Sequence, residues 1–168
     1  MHRLMLVDDE PNILKALRRT LSICAPEDVG GKLEIETFER PADALARAAD
    51  TMFDLVISDY RMPEINGVDF LSRMVALQPR VARLILSGHT DLDALVGAIN
   101  QVQIFRFISK PWHEFELRST VRQALELRTL LSENQRLADL VRVQRGELSR
   151  QEMELRRLED QIPGIAKR

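Results

Sequence analysis

Five short apolar runs punctuate the first part of the chain, and helix-length amphipathic stretches separate them. The runs are "RLMLV" (3–7), "LEIETF" (33–38), "DLVIS" (54–58), "RLILS" (83–87) and "IFRFI" (104–108). This alternation constrains the fold more than any other feature. Repeated β-α units call for an open α/β sheet with right-handed crossovers. Three of the runs are almost continuously apolar, which is the mark of a parallel strand covered on both faces. Between them, Pro11 suits a first helical turn, and Ile13, Leu14, Leu17 and Leu21 follow at helical spacing. Pro41 opens "PADALARAA", and Gly67 precedes "VDFLSRMVAL". Thr90 or Asp91 is suited to cap "LDALVGAI" (92–99).

After Pro111 the texture changes. From Glu114 to Gln161 there is no proline and only one glycine, Gly146. As a helix this stretch would run roughly 70 Å at the α-helical rise. A heptad frame fits its later part. Leu127, Asn134, Val141, Leu148, Leu155 and Ile162 fall at one core position, and Leu130, Leu137, Gln144, Gln151 and Leu158 at the other. Gly146 lies on the outer face, where its cost is about 1 kcal/mol. The division expected is a globular domain over 1–125, a helical coiled-coil tail over 126–162 continuous with the last helix of that domain, and a flexible end over 163–168. A homodimer through the tail or the last helices of the domain is expected. Asn134 would fix its register at some cost in stability. Parallel pairing would oppose Glu147 to Glu152 and Glu154 to Glu159, so antiparallel or partner pairing stays open, as does a solvated single helix.

Composition narrows the remaining classes. The 168 residues fit one domain plus an appendage, and 45% apolar content suffices for a core. The apolar stretches are strand-length, so none can span a bilayer. The chain enters "RLMLV" at once, without the apolar core and small-residue cleavage site of a signal peptide. The single cysteine, Cys24, excludes an internal disulfide and a multi-cysteine metal site, and reads as an ordinary core residue. A reducing cytoplasm is the expected compartment. Residues 1–113 carry 13 Lys and Arg against 16 Asp and Glu, and residues 114–168 carry 11 against 10. Neither part is a basic block, so nucleic-acid binding by this chain is not expected.

The chemistry concentrates where strands end. Asp8 and Asp9 follow the first run, Asp59 follows the third, Ser87 ends the fourth, and Lys110 follows the fifth. In a doubly wound parallel sheet these ends lie at one edge, where ligands bind. Three close carboxylates repel one another unless a cation neutralises them. Oxygen-only ligands favour a hard divalent ion, and Mg²⁺ suits phosphate chemistry because it keeps waters and shares phosphate oxygens. Phosphoryl transfer needs mainly positioning and charge stabilisation, which a metal, an ammonium and a hydroxyl can supply. Asp59 is the candidate nucleophile, forming an aspartyl-phosphate.

The segments "LMLVDDEPNI", "DLVISDYRMPEINGVDFL", "LILSGH" and "FRFISKPW" resemble the signature segments of bacterial response-regulator receiver domains, in that family's order and spacing. The resemblance covers about residues 1–125. It implies a flavodoxin-like five-stranded parallel sheet of order 2-1-3-4-5, with the long helical extension appended. It implies that Asp59 accepts phosphate from a sensor histidine kinase, and that Asp9, Asp59 and the backbone carbonyl of Arg61 bind Mg²⁺ directly. Asp8 would act largely through water. Ser87 and Lys110 would contact the phosphoryl group, and Ser87 with Phe107 would form the switch. The Lys110–Pro111 bond would be cis. Pro63 and Gly67 match the loop after the phosphoacceptor. Ser87 stands where threonine is commoner, and Phe107 where tyrosine is frequent, so any switch works by ring packing without a phenol. Arg61 and His89 occupy positions that influence phosphate lifetime in the family. "FRFISKPW" also resembles receivers that precede cyclic-dinucleotide phosphodiesterase or transcription-activator domains, whose own motifs do not occur here. The chain then acts through protein contacts with a downstream effector, or is a piece of a longer protein.

Plainer readings exist for each residue taken singly. An Asp-Asp pair alone marks a turn or a solvated helix start, Lys-Pro is ordinary loop chemistry, and Asp59 alone could cap a turn. Their joint occurrence at four strand ends selects the receiver. A degenerate receiver, acting as a phosphorylation-independent scaffold, would lack workable residues at these positions, and all five are workable. An aspartyl phosphatase generally needs a second acid two residues on, where this chain has Arg61, so no separate substrate turnover is expected. No G-x-G-x-x-G follows the first strand, against a dinucleotide enzyme. Phe107 fits either switch or simple packing. His2, His89 and His113 read as surface or local packing residues, and Trp112 as a packing anchor.

Overall fold

The computed structural model describes residues 1–88, 91 and 102–161. The expected helix at 92–99, its candidate cap Thr90, His89, Ile162 and the 163–168 end lie outside the described residues, whereas the other candidate cap, Asp91, is described. Five strands form one parallel sheet: β1 (His2–Val7), β2 (Leu33–Phe38), β3 (Leu55–Asp59), β4 (Ala82–Ser87) and β5 (Arg106–Ser109). Their order is β2-β1-β3-β4-β5, the flavodoxin-like order. The apolar β1, β3 and β4 occupy the centre. The edges fall to β2, whose Glu34 and Glu36 alternate with apolar residues, and to the short β5. The fifth strand begins two residues later than its apolar run. Gln103 takes a left-handed backbone (φ 49°), and the run's first residue, Ile104, is buried before pairing with β4 begins at Arg106.

The helices are α1 (Pro11–Ser22), α2 (Pro41–Asp50), α3 (Gly67–Leu77) and α4 (Glu114–Gln161), with a short 3₁₀ turn at Pro26–Val29. Pro11 and Pro41 open their helices, where a missing N–H costs nothing. At α3 the Asn66 side chain accepts the Asp69 N–H at 2.9 Å, capping the helix. α4 runs between the limits marked by proline and glycine in the sequence.

Alternate strand residues face opposite layers. Leu4, Leu6, Ile57, Leu84 and Ile108 meet Leu14, Leu17, Leu117 and Val121 on the α1/α4 side. Met5, Val7, Val56 and Ile85 meet Ala44, Phe70 and Met74 on the α2/α3 side. Each fully buried aliphatic or aromatic side chain of this kind contributes about 1.5–3 kcal/mol. Trp112 packs against the first layer, and half-buried Cys24 sits at its margin, its thiol donating to the Thr20 carbonyl at 2.8 Å. Burial raises the Cys24 pKa.

Two buried polar side chains fasten loops. Gln78 donates to the Ala48 and Thr51 carbonyls at 2.8 and 2.7 Å and accepts the Phe53 N–H at 2.8 Å. Buried Arg83 donates to the carbonyls of Gln103 and Pro79, and its burial lowers its pKa. The chain divides into two compact units, Met1–Thr129 and Leu130–Arg168. In the second unit, Leu130, Leu137, Leu148, Leu155 and Leu158 are each more than half exposed, and so are Leu131 and Val143, which lie off the heptad core positions.

Candidate functional site

Parallel register brings the strand ends together. Val7 pairs with Ser58, Asp59 with Leu86, and Ser87 with Ser109. Asp8 and Asp9, Asp59, Ser87 and Lys110 therefore emerge from four adjacent strands on one sheet edge. A ligand oxygen from each of Asp8, Asp9 and Asp59 falls within 4.8 Å of the others. Asp8 and Asp59 are buried, and Asp9 is the most accessible of the three. Asp8 Oδ1 accepts the Glu10 N–H at 2.9 Å. Lys110 Nζ lies 2.8 Å from Asp8 Oδ2 and 2.7 Å from Asp59 Oδ1. The Lys110–Pro111 peptide is cis, and the Lys110 N–H donates to the Ser87 carbonyl at 2.8 Å.

The electrostatics follow from burial and crowding. Burial pushes the Asp59 carboxyl up; Lys110 opposes this, and the charges of Asp8 and Asp9 add to it. Burial alone would favour a neutral Lys110, but hydrogen bonds and charges from Asp59 and Asp8 outweigh it and raise its pKa. One ammonium against three carboxylates leaves a net negative, oxygen-only cluster. That donor set fits a hard divalent cation, with Asp8, Asp9 and Asp59 as the residues to hold it. The Ser87 hydroxyl is buried and has no hydrogen-bond partner among the described residues, so a polar ligand atom would satisfy it.

The loop after Asp59 is fixed by backbone contacts. Tyr60 N–H donates to the Leu86 carbonyl at 2.9 Å, and Gly67 N–H donates to the Tyr60 carbonyl at 2.8 Å. A Cβ on residue 67 would collide with the Asp59 carbonyl, so glycine is required for this close approach. Phe107 is half-buried and packs against the α2/α3 layer. His2 lies near Asp54, its Nε2 3.1 Å from the Gly30 carbonyl, and His113 is exposed.

One pairing escaped the sequence reading. The Arg61 guanidinium binds Asp91 Oδ1, with Nε at 2.7 Å and Nη2 at 2.5 Å. Asp91, considered only as a helix cap, is buried, and its Oδ2 accepts the Gly88 N–H at 3.2 Å. No local spacing announces a pair that joins two different loops.

The sequence profile of the response regulator receiver domain matches residues 4–122. The chain belongs to the response regulator receiver domain family. The receiver is similar to the hydrogenase transcriptional regulatory protein HoxA of Cupriavidus necator, 32% identical over 133 residues, covering 79% of this chain and 26% of the relative. It is also similar to the C4-dicarboxylate transport transcriptional regulatory protein DctD of Pseudomonas aeruginosa, 30% identical over 167 residues, covering 98% of this chain and 34% of the relative. Among solved structures, the signal receiver domain of an HD domain-containing protein from Pseudomonas fluorescens Pf-5 superposes with a TM-score of 0.68 at 33% identity, covering 76% of this chain and 97% of that one. The chain thus spans about a third or less of the length of these curated relatives. Among the described residues, no helix is long and apolar enough to cross a membrane.

Proposed function

We propose that the receiver accepts a phosphoryl group on Asp59 from a sensor histidine kinase and uses it to switch protein contacts. The observation that carries this reading is the geometry around Asp59: a buried carboxylate held 2.7 Å from Lys110, beside two further acids and an unsatisfied Ser87 hydroxyl. An Asp59 carboxylate oxygen attacks phosphorus, the donor's P–N bond breaks, and the donor imidazole departs carrying the bond electrons. Lys110 neutralises charge on the acceptor side. The Ser87 hydroxyl donates to a phosphoryl oxygen once it is present. Asp8, Asp9, Asp59 and the Arg61 backbone carbonyl would hold Mg²⁺, which supplies positive charge to the transferring group. The chain turns over no separate substrate. Phe107 follows Ser87 by changing its packing against the α2/α3 layer.

The output passes through the helical tail to a protein effector, with no nucleic-acid or membrane contact by this chain and a cytoplasmic setting. Transcription control is the setting suggested by HoxA and DctD; alternatively the chain is the regulatory piece of a longer effector. A second copy is the proposed partner of the exposed heptad stripe, because the stripe offers Leu127, Leu130, Leu137, Val141, Leu148, Leu155 and Leu158 in one repeating frame. Light scattering should give twice the chain mass; a monomer at micromolar concentration would remove the dimer.

The central test uses the full chain with acetyl phosphate. With Mg²⁺ its mass should rise by one phosphoryl group, and EDTA should prevent this. No adduct, under conditions that label a control receiver, would leave the phosphorylation-independent scaffold as the better reading.

A further inference from the structure

We infer that the Arg61–Asp91 ion pair is a latch that holds the receiver in its resting arrangement, an inference that rests on Asp59 being the phosphoacceptor. The Asp91 carboxylate is buried, and a carboxylate so placed persists only with partners. Its partners come from two loops. Arg61, two residues after Asp59, gives a guanidinium to Oδ1; Gly88, one residue after Ser87, gives its N–H to Oδ2. The Asp91 N–H returns to the Gly88 carbonyl at 3.2 Å. One carboxylate therefore ties the loop that leaves the acceptor to the loop that leaves the hydroxyl.

Phosphorylation strains this tie from both sides. Ser87 has a buried hydroxyl without a partner among the described residues, and recruiting it to a phosphoryl oxygen displaces Gly88 with it. That displacement pulls on the Gly88–Asp91 hydrogen bonds. The phosphoryl group also adds about −1.5 to −2 of charge two residues from Arg61. The new charge attracts the guanidinium and repels the Asp91 carboxylate. The pair thus favours the unphosphorylated state, and its rupture is a cost that the phosphoryl contacts must exceed. Weakening the pair lowers that cost.

The test uses the full chain with Mg²⁺ and beryllium fluoride, a phosphoryl mimic, titrated by calorimetry and by the fluorescence of Trp112, the only tryptophan. Asp91→Asn keeps an acceptor for the Gly88 N–H and removes the charge. Arg61→Gln breaks the same pair from its 70% exposed partner, where folding is not at stake. Asp91→Asn should bind the mimic about five- to tenfold more tightly than wild type, the lower range of known couplings between sites, and Arg61→Gln, which also removes a cation that the new charge attracts, should gain less. The double variant should gain less than the sum of the two, because both changes remove the same Arg61–Asp91 pair. Arg61→Lys keeps the charge but loses the paired Nε and Nη2 donors, so it should fall between wild type and Arg61→Gln. Unchanged or weaker binding in both single variants, or additive gains in the double, would overturn the latch alone. A wild type that ignores the mimic while a control receiver binds it would remove the receiver reading, and the latch with it.

Discussion

β3 has an aspartate at each end, and the two are held in opposite ways. Asp54, just before the strand, is fully compensated. Its Oδ2 accepts the Arg3 N–H at 2.7 Å, and its Oδ1 pairs with Arg128 Nη1 at 2.6 Å, fixing α4 to the floor of the sheet. Asp59, the strand's last residue, shares one lysine with Asp8, and burial, aided by the charges of Asp8 and Asp9, raises its pKa. The same residue type is thus an anchor just before the strand and a crowded, ligand-ready group at its end. What separates them is burial and the number of carboxylates that compete for the one cation each touches. Partnered charges hold structure, and under-compensated ones mark where a cation or a phosphoryl group enters.

Four substitutions would break or sharpen this contrast. The largest effect belongs to Lys110→Ala, which removes the only ammonium that touches Asp59 among the described residues. Labelling by acetyl phosphate should slow by about 10²–10³-fold, the usual cost of deleting one charge-stabilising donor, read as the initial rate by mass spectrometry. Asp54→Ala comes next. It leaves Arg128, whose Nε is already buried without a partner among the described residues, and the Arg3 N–H uncompensated. Urea denaturation should show a loss of about 2–3 kcal/mol, with labelling of the folded fraction intact.

Asp59→Asn should move stability the other way. A folded pKa above the unfolded value means that this carboxyl favours folding below its ordinary pKa of 3.8, and that the contribution is lost as pH rises through the folded value. At pH 7 and without divalent cations the variant should therefore melt above wild type. Added Mg²⁺ should narrow the gap by binding the wild-type fold. A lower melting temperature for Asp59→Asn would mean the acidic cluster is already compensated, and the contrast with Asp54 would fail.

The smallest effect is expected at the sheet edge. The Arg47 hydrogen bond, aided by the charges of Arg47 and Arg3, lowers the Glu36 pKa against the opposing effect of burial. A depressed carboxyl stabilises the fold above its ordinary pKa of 4.5 and loses that contribution as pH falls through the folded value. Glu36→Gln should cost about 0.5 kcal/mol at pH 7, fading in acid, when followed by denaturation across pH.

Much of this molecule was legible in its sequence because the information was local. Apolar runs of strand length placed all five strands, Pro11 and Pro41 marked helix starts, and the proline-free stretch from Glu114 to Gln161 marked α4. The cluster at the strand ends was legible because parallel topology converts "last residue of a strand" into a shared position in space. The pairs Arg61–Asp91 and Asp54–Arg128 were not, and neither were the roles of Gln78 and Arg83. Each joins segments far apart in the chain, and nothing in the spacing of either partner names the other. The late start of β5 was missed for a related reason: Ile104 is buried like a strand residue but precedes the ladder. Cys24 read as core because it closes an apolar helical pattern, yet the helix ends at Ser22 and leaves the thiol at the margin.

The most direct measurement is the position of the label. The full chain is treated with acetyl phosphate and Mg²⁺, the acyl phosphate is trapped chemically, and the peptides are sequenced by tandem mass spectrometry, with Asp59→Asn in parallel. A single modified residue, Asp59, is expected, with no label in the variant. Label on Asp8 or Asp9 in wild type, or undiminished labelling of Asp59→Asn, would contradict it.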